Sequence, residues 1–221
     1  MFRRSAATLA AFLLCALCPG VTSAQVVAPP LQAYGALPAV ELVELSPSGN
    51  RIGLVTVAGE DRVLAIIDAR QSRMLSRIEV GKAKVRDLVW AGDGHLLITT
   101  SVTEDFGYGK REVLIGQLFD VERVRLRRVL DGIAGVSPLL WGAPMVRMTE
   151  GGPVVFARSW NFAERRPYLY RVDLNTGRGR VAVALSSHHE DVVLDAAGEP
   201  VAESVYNPAK REWALNLRAG G

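Results

Sequence analysis

Apolar and polar residues alternate in short runs along most of this chain, and the runs are separated by turns that contain glycine. The first example reads VELVEL (40–45), SPSGN (46–50) and RIGLVTV (51–57). A period of two is typical of β-strands, and the short turn of Ser, Pro, Gly and Asn is typical of a hairpin. Nothing of helical length separates such runs, so the sequence predicts an all-β protein.

The same plan occurs four times. Its turn glycines recur at intervals of 45, 58 and 46 residues, at Gly49, Gly94, Gly152 and Gly198. A four-stranded blade of a β-propeller occupies roughly 40–50 residues, which agrees with the first and third intervals. The longer second interval predicts an inserted loop.

Each of the first three units continues into a second hairpin whose leading strand ends in an aspartate: Asp68, Asp120 or Asp173. Four strands per repeat favour a β-propeller, and a β-sandwich with accidental spacing is the alternative. The last unit has only three strands. We therefore predict an incomplete ring of about three full blades plus a partial fourth, with blades at about 40–80, 85–130, 138–185 and 190–221.

The first residues have the pattern of a secretory signal peptide. Arg3 and Arg4 precede an apolar run (6–18), a Pro-Gly break, and small residues before Gln25. The run is too short to span a bilayer as a helix, so we expect residues 1–24 to be removed after Ala24. An uncleaved anchor or a buried helix is the alternative. The prediction is an exported bacterial protein, periplasmic or extracellular, in which residues 25–39 lead into the propeller.

Removal of the leader changes the chemistry of the chain. Both cysteines lie within it, so the mature chain has no thiol for a disulfide, a metal or a nucleophile. The leader also holds two of the 26 basic residues and no acidic one, which leaves 23 acidic residues and a net charge of +1. A nearly neutral chain is not expected to bind nucleic acid or anionic membranes, and we expect no membrane span after cleavage.

Two short stretches, YGALPAVE (34–41) and LSPSGNRI (45–52), resemble the opening of bacterial secreted prolyl oligopeptidase-type serine peptidases. In that family a propeller covers an α/β-hydrolase domain with a Ser, Asp and His triad, and filters access to it. Ser48 stands where Asp is commoner. The Leu-Ser-Pro-x-Gly turn also occurs in other propellers, including periplasmic ones of the Tol system.

The nucleophile motif that the resemblance implies, Gly-x-Ser-x-Gly, is absent from the sequence. The nearest segment, GVSPL (135–139), lacks the second glycine and has a proline where a helix would begin, so we interpret Ser137 as a loop residue. We assign no catalytic residue. The resemblance implies the substrate-gating portion of a peptidase, inactive alone; the alternative is a free-standing periplasmic propeller that binds a protein partner.

Two motifs suggest a metal or a cofactor, and both have simpler explanations. Residues HHED (188–191) could supply ligands, but neighbouring strand residues point to opposite faces, so we interpret them as solvated loop residues. Residues GRGRVA (177–182) match a relaxed dinucleotide motif, but they join two strands instead of a strand and a helix. We expect neither metal nor cofactor.

Two loops mix acidic, aromatic and glycine residues, at 103–111 and 159–166. We expect each to connect the second and third strands of a blade, where loops on a rigid scaffold often carry recognition. The candidate contacts for a peptide or protein partner are Glu104, Asp105, Tyr108 and Trp160, and plain connecting loops are the alternative. Because the predicted ring is incomplete, we also expect self-association through open blade edges.

Overall fold

The computed structural model describes residues 29–30, 34–35, 38–107 and 109–218. The chain divides into two units, Met1–Ala36 and Leu37–Gly221, and the strands lie in the second. The predicted leader (1–24) and the candidate residue Tyr108 lie outside the described residues. Within the described residues, no helix is long and apolar enough to cross a membrane.

The strands of the second unit form four consecutive antiparallel blades, so the chain is an all-β propeller segment. Among the described residues, three blades have four strands and the last has three. Blade 1 contains β1 (Val40–Leu45), β2 (Arg51–Ala58), β3 (Asp61–Asp68) and β4 (Arg73–Gly81). Blade 2 contains β5 (Lys84–Ala91), β6 (His95–Asp105), β7 (Lys110–Asp120) and β8 (Arg125–Arg128). Blade 3 contains β10 (Met145–Thr149), β11 (Gly152–Asn161), β12 (Arg166–Val172) and β13 (Gly179–Ala184), and blade 4 contains β14 (His189–Leu194), β15 (Pro200–Asn207) and β16 (Glu212–Leu217).

The longer repeat interval contains an additional strand, β9 (Val136–Leu140), where the sequence predicted only an inserted loop. Leu140 pairs with Leu114 on β7 and with Ser159 on β11, so β9 joins blades 2 and 3 into one nine-stranded sheet. The interpretation of Ser137 as a loop residue was therefore wrong. Its Oγ accepts the N–H of Leu139 at 3.1 Å, and its carbonyl accepts the hydroxyl of Ser159 at 2.7 Å.

Three apolar clusters lie between adjacent blades and hold them together. The middle strand β6 shows how: Leu96 and Ile98 pack against blade 1, whereas Leu97 packs against blade 3. Successive side chains on a strand point to opposite faces, so a blade with a neighbour on each side buries both sets. Strand β6 is consequently buried over a continuous run of residues, as expected for a strand covered on both faces.

The predicted turns after Asp68, Asp120 and Asp173 share one geometry. In each, the carboxylate accepts backbone N–H groups two and three residues ahead, at 2.8–3.1 Å. The residue four positions after the aspartate has a positive φ: 49° at Ser72, 50° at Val124 and 72° at Gly177. The aspartate thus accepts hydrogen bonds from turn N–H groups that have no partner strand. The residue with positive φ reverses the chain so that the next strand can pair.

Val124 is the least suitable of these three residues for a left-handed backbone, because its side chain is β-branched. The side chain is 61% exposed, so its replacement removes little packing. We expect Val124→Asn to raise the free energy of unfolding by about 1 kcal/mol, since Asn tolerates this conformation. Denaturant titration measures the change. The matched control, Val181→Asn on the exposed face of β13, should give no gain, and a loss in Val124→Asn would contradict the argument.

Candidate binding site

One end of the propeller segment carries both loops that the sequence singled out. Because strands alternate in direction, the hairpins between the second and third strands share an end with the segments that link successive blades. We call it the upper end. It includes the β6–β7 hairpin, the β11–β12 hairpin, the insertion containing β9, and the link between blades 3 and 4 (185–188).

Three stacked rings from different elements form an aromatic column at the upper end. Trp160 lies near the end of β11, Trp141 directly follows β9, and His189 begins β14. The ring centroids of Trp160 and Trp141 are 5.7 Å apart with planes inclined by 28°, and those of Trp141 and His189 are 4.9 Å apart at 11°. The aromatic column (Trp160, Trp141 and His189) therefore connects blade 3, the insertion and blade 4.

The backbone of the insertion determines where Trp141 lies. Its N–H donates to the carbonyl of Arg158 at 2.9 Å, which extends the pairing of β9 with β11. At the other end of β9, the N–H of Phe162 donates to the carbonyl of Gly135 at 2.7 Å. Leu140 is buried, so alternation turns the next side chain, Trp141, outward, where it is 39% exposed.

Arg158 attaches the start of blade 4 to blade 3 beside the column. Its guanidinium donates to the backbone carbonyl of Glu190 and lies 3.2 Å from the Asp191 carboxylate, with only 11% of the side chain exposed. Burial lowers the pKa of Arg158, and Asp191 counteracts that shift. An arginine remains charged in proteins, so this largely buried guanidinium is stabilised by its acidic partner. The pair fixes the strand that presents His189.

Gly142 makes room for this guanidinium. Its φ is +92°, and a Cβ built on it would collide with the Nη2 atom of Arg158. Because position 142 is a glycine, the backbone after Trp141 can lie directly against the Arg158 guanidinium. A residue with a side chain would push the guanidinium away.

His189 is held as a neutral ring. Its Nδ1 donates to the carbonyl of Ser186 at 3.0 Å, which places the proton on that nitrogen. Burial lowers the pKa of His189, and the Ser186 hydrogen bond offsets only part of the shift. The interpretation of residues 188–191 as solvated loop was wrong for His189, which is 7% exposed and begins a strand. The described part of the chain contains no group of three or more metal-ligating side chains.

Of the four candidate residues, only Trp160 belongs to the column. Glu104 and Asp105 are exposed at the end of β6, and the Asp105 carboxylate accepts the N–H of Gly107 at 2.9 Å within its own hairpin. Tyr108 lies outside the described residues. Sequence reasoning missed Trp141, Arg158 and His189. A usable signal was the Trp141-Gly142 pair inside the unusually long repeat interval.

The column borders a surface that combines exposed aromatic groups with carboxylates. Phe162, two residues after Trp160, is 64% exposed on the β11–β12 hairpin. Glu164 is exposed on the same hairpin, where its carboxylate accepts the hydroxyl of Tyr168, and Glu190 follows His189. Arg165 and Arg166 are also exposed on this hairpin. Exposed aromatic rings bind apolar or prolyl side chains by contact, and nearby carboxylates favour a ligand with a basic or amino group.

Comparison with known proteins finds neither a matching family nor a matching curated protein. Several solved structures are similar in part. Hydrazine synthase of Kuenenia stuttgartiensis aligns with a TM-score of 0.44 and 17% identity over 80% of this chain and 58% of that one. TolB from Acinetobacter baumannii aligns with a TM-score of 0.43 and 13% identity over 82% of this chain and 44% of that one.

A third match is the β-propeller domain of the Trilobed protease from Pyrococcus furiosus, described as having an open velcro topology. Its TM-score is 0.31 at 13% identity, over 80% of this chain and 64% of that one. The chain thus spans 44–64% of the length of these three structures. The propeller architecture described above rests on the strand order and blade packing of this chain itself.

We expect Gly142→Ala to lower the free energy of unfolding by about 2 kcal/mol, because it adds backbone strain and pushes the end of the Arg158 side chain away from Asp191 and the Glu190 carbonyl. Gly59→Ala is the matched control: Gly59 also has a positive φ, +69°, but a Cβ there would meet nothing within 4 Å. The control should lose only about 1 kcal/mol, from strain alone. Denaturant titration compares the two, and equal losses would refute the close approach to Arg158.

Stability should fall on mild acidification because His189 is buried neutral. The folded pKa lies below the unfolded value of about 6.5, so as pH falls through 6.5 the unfolded chain takes up the proton first. We expect His189→Phe, which keeps a ring on Trp141, to lose less stability than the wild type between about pH 7 and 5.

The exposed neighbour supplies the control for this measurement. His188→Gln should retain the wild-type dependence of unfolding free energy on pH. Burial also lowers the pKa of His95, and this second contribution is common to all three proteins. If the unfolding free energy of His189→Phe depended on pH as that of the wild type does, the conclusion that His189 is buried in its neutral form would be wrong.

Proposed function

We propose that this protein is a non-catalytic, exported propeller segment that binds peptides at its aromatic column. We further infer that it is the substrate-binding and gating portion of a prolyl oligopeptidase-like serine peptidase. The observation that carries the first proposal is the stacking of Trp160, Trp141 and His189 at the upper end. The resemblance of residues 34–41 and 45–52 to the opening of that peptidase family supports the second.

The chemistry of the surface indicates the class of peptide. Both faces of the Trp141 ring are occupied within the column, so a ligand meets its exposed edge and the more exposed ring of Phe162. Flat apolar groups of this kind suit a proline or another rigid apolar side chain, which loses little entropy on binding. The exposed carboxylate of Glu190 suits a neighbouring amino terminus or basic residue, whereas that of Glu164 already accepts the Tyr168 hydroxyl.

The column is rigidly built, as a recognition site requires. Trp141 is fixed by the β9–β11 hydrogen bonds, and His189 is fixed by the Ser186 carbonyl and by the Arg158 contact with the start of β14. A preorganised aromatic surface binds more tightly than one that must be ordered by its ligand.

A second candidate function is a free-standing propeller that binds a protein partner. The specific observation in its favour is that every ring of the column comes from this chain, so binding there needs no hydrolase domain. The two functions share the same peptide-binding surface. They differ in whether a bound peptide is passed to a catalytic domain.

Titration with short proline-containing peptides that carry a free amino terminus, followed by tryptophan fluorescence, tests the binding site. We expect saturable binding that weakens at least tenfold in Phe162→Ala and in Trp141→Ala, since aromatic anchors of interfaces commonly contribute about 2 kcal/mol or more. Leu126→Ala, on the outer strand of blade 2, is the control and should bind as the wild type does.

A second measurement separates binding from catalysis. The purified chain should not be labelled by an active-serine reagent and should leave the bound peptides intact. Absence of saturable binding in the wild type would overturn the peptide site. Reagent-sensitive peptide cleavage would instead overturn the non-catalytic assignment while leaving the binding site in place.

A further inference from the structure

Arginines from three strands or strand ends meet where blades 3 and 4 adjoin, at the end of the segment opposite the aromatic column. Arg171 lies one residue before the end of β12, Arg180 lies near the start of β13, and Arg218 directly follows β16. Because strands alternate in direction, these positions share one end, which we call the lower end. The three side chains line a groove of about 490 Å³, together with Phe156, Glu199 and Pro200.

Two of these arginines lie directly opposite each other on paired strands. The register of β12 and β13 places Arg171 opposite Arg180. Side chains in this relation have Cβ atoms about 5 Å apart, and like charges there repel each other. Phe156 occupies the next position of the same row, on β11, and belongs to the apolar cluster between blades 3 and 4. The row therefore turns both arginine side chains to the side of blade 4.

The acidic groups nearby neutralise little of this charge. Glu199 lies 3.9 Å from the Arg171 guanidinium, but the two side chains are 65% and 38% exposed, so the ion pair is weak. The Asp173 carboxylate accepts two backbone N–H groups within its own turn. Within the described residues, no carboxylate lies within 4.0 Å of the Arg180 guanidinium. The opposed pair therefore gives the groove a net positive charge.

Arg218 adds a third guanidinium, which is held in place by its own contacts. Its Nη2 atom donates to the carbonyl of Ala184 at 3.3 Å and to the Glu203 carboxylate at 3.2 Å. Glu203 is buried and also accepts the N–H of Ser186 at 2.7 Å. The Nε atom of Arg218 is buried and has no hydrogen-bond partner in the part of the chain that the structure describes. A guanidinium anchored in this way can donate its remaining N–H groups to an acceptor in the groove.

Protection of the sheet edge does not explain the opposed pair. A charged residue on an outer strand discourages pairing with another chain, and Arg180 on β13 could serve that purpose. Arg171, however, is on the inner strand β12, which already pairs with β11 on one side and with β13 on the other. An arginine at that position adds nothing to edge protection, and it repels Arg180. An anion bound between the two guanidinium groups would relieve the repulsion.

We propose that Arg171, Arg180 and Arg218 form a binding site for a phosphate group, either free phosphate or the phosphate of a monoester. The planar fork of an arginine fits two oxygens of one phosphate, and a phosphomonoester carries nearly two negative charges at pH 7. Two opposed arginines match that charge. The groove has the volume of a small-molecule site and exceeds one phosphate group, so it can hold the organic part of an ester beside Phe156 and Pro200.

Denaturant titration in increasing concentrations of sodium phosphate tests the site, because a ligand that binds only the folded chain raises the free energy of unfolding. Sodium chloride at the same ionic strength accounts for general screening. We expect a saturable rise in the wild type and an affinity for phosphate at least about tenfold weaker in Arg180→Gln. Arg77→Gln is the matched control and should keep the wild-type affinity, since Arg77 also lies on an outer strand but faces Ala65.

Stability without phosphate separates a binding role from a structural one. Arg180→Gln removes one member of the like-charge pair, so without phosphate this variant should be at least as stable as the wild type. Arg171→Gln removes the other member and should weaken phosphate binding as well. Circular dichroism checks that the strands of each variant are formed.

Glucose 6-phosphate, titrated in the same way, distinguishes the source of the phosphate group. Tighter binding than that of inorganic phosphate would show that the groove also holds the organic part, and equal affinity would show that free phosphate is sufficient. Both results agree with the proposal.

Three outcomes would overturn the proposal. Phosphate could stabilise the wild type no more than chloride does, Arg180→Gln could keep the wild-type affinity, or Arg180→Gln could be less stable than the wild type without phosphate. The last result would mean that Arg180 has a structural role. Peptide binding at the aromatic column concerns the other end of the segment and is measured independently.

Discussion

The burial of both faces of a sheet is the constraint on which the rest of this structure depends. In β6, Leu96 and Ile98 pack on one neighbouring blade and Leu97 on the other, so adjacent residues of one strand belong to different apolar clusters. A blade therefore reaches its full stability only with a neighbour on each side. This requirement organises the interior of the segment, and it is also why blades 1 and 4 present apolar faces.

The repeat could be predicted because its signals are local. An alternating run and a glycine turn recur in each unit, and an aspartate that accepts two backbone N–H groups recurs in the first three; each of these signals acts within a few residues. The turns after Asp68, Asp120 and Asp173 were visible in the sequence for this reason. The additional strand β9 was not, because its partners Leu114 and Ser159 lie about twenty or more residues away in either direction and nothing local identifies them.

The binding site was harder to predict than the fold for the same physical reason. Trp160 stood out because it lies in a polar, aromatic loop, but its partners Trp141 and His189 come from the insertion and from the next blade. Because adjacent residues of a strand point to opposite faces, His188 and His189 were not expected to share a metal ion, and His189 was predicted to be a solvated loop residue. Its burial results from a stacking partner 48 residues earlier in the chain, and the contact depends on Gly142 and Arg158, whose roles appear only in three dimensions.

Because of strand β9, blades 2 and 3 cannot be separated from each other as easily as blades 1 and 4 can be separated from them. In most repeats a single blade is the unit that can be duplicated, deleted or exchanged, because its hydrogen bonds are internal. Here the backbone hydrogen-bond ladder runs continuously from β5 to β13 through β9, so blades 2 and 3 behave as one structural unit in duplication or exchange. A recombination event, or a protein engineer, that separates them must break the backbone ladder. The boundaries on either side of that unit are crossed by side-chain packing and by hydrogen bonds from side chains such as Trp90 and Arg158, with no strand pairing between the blades among the described residues.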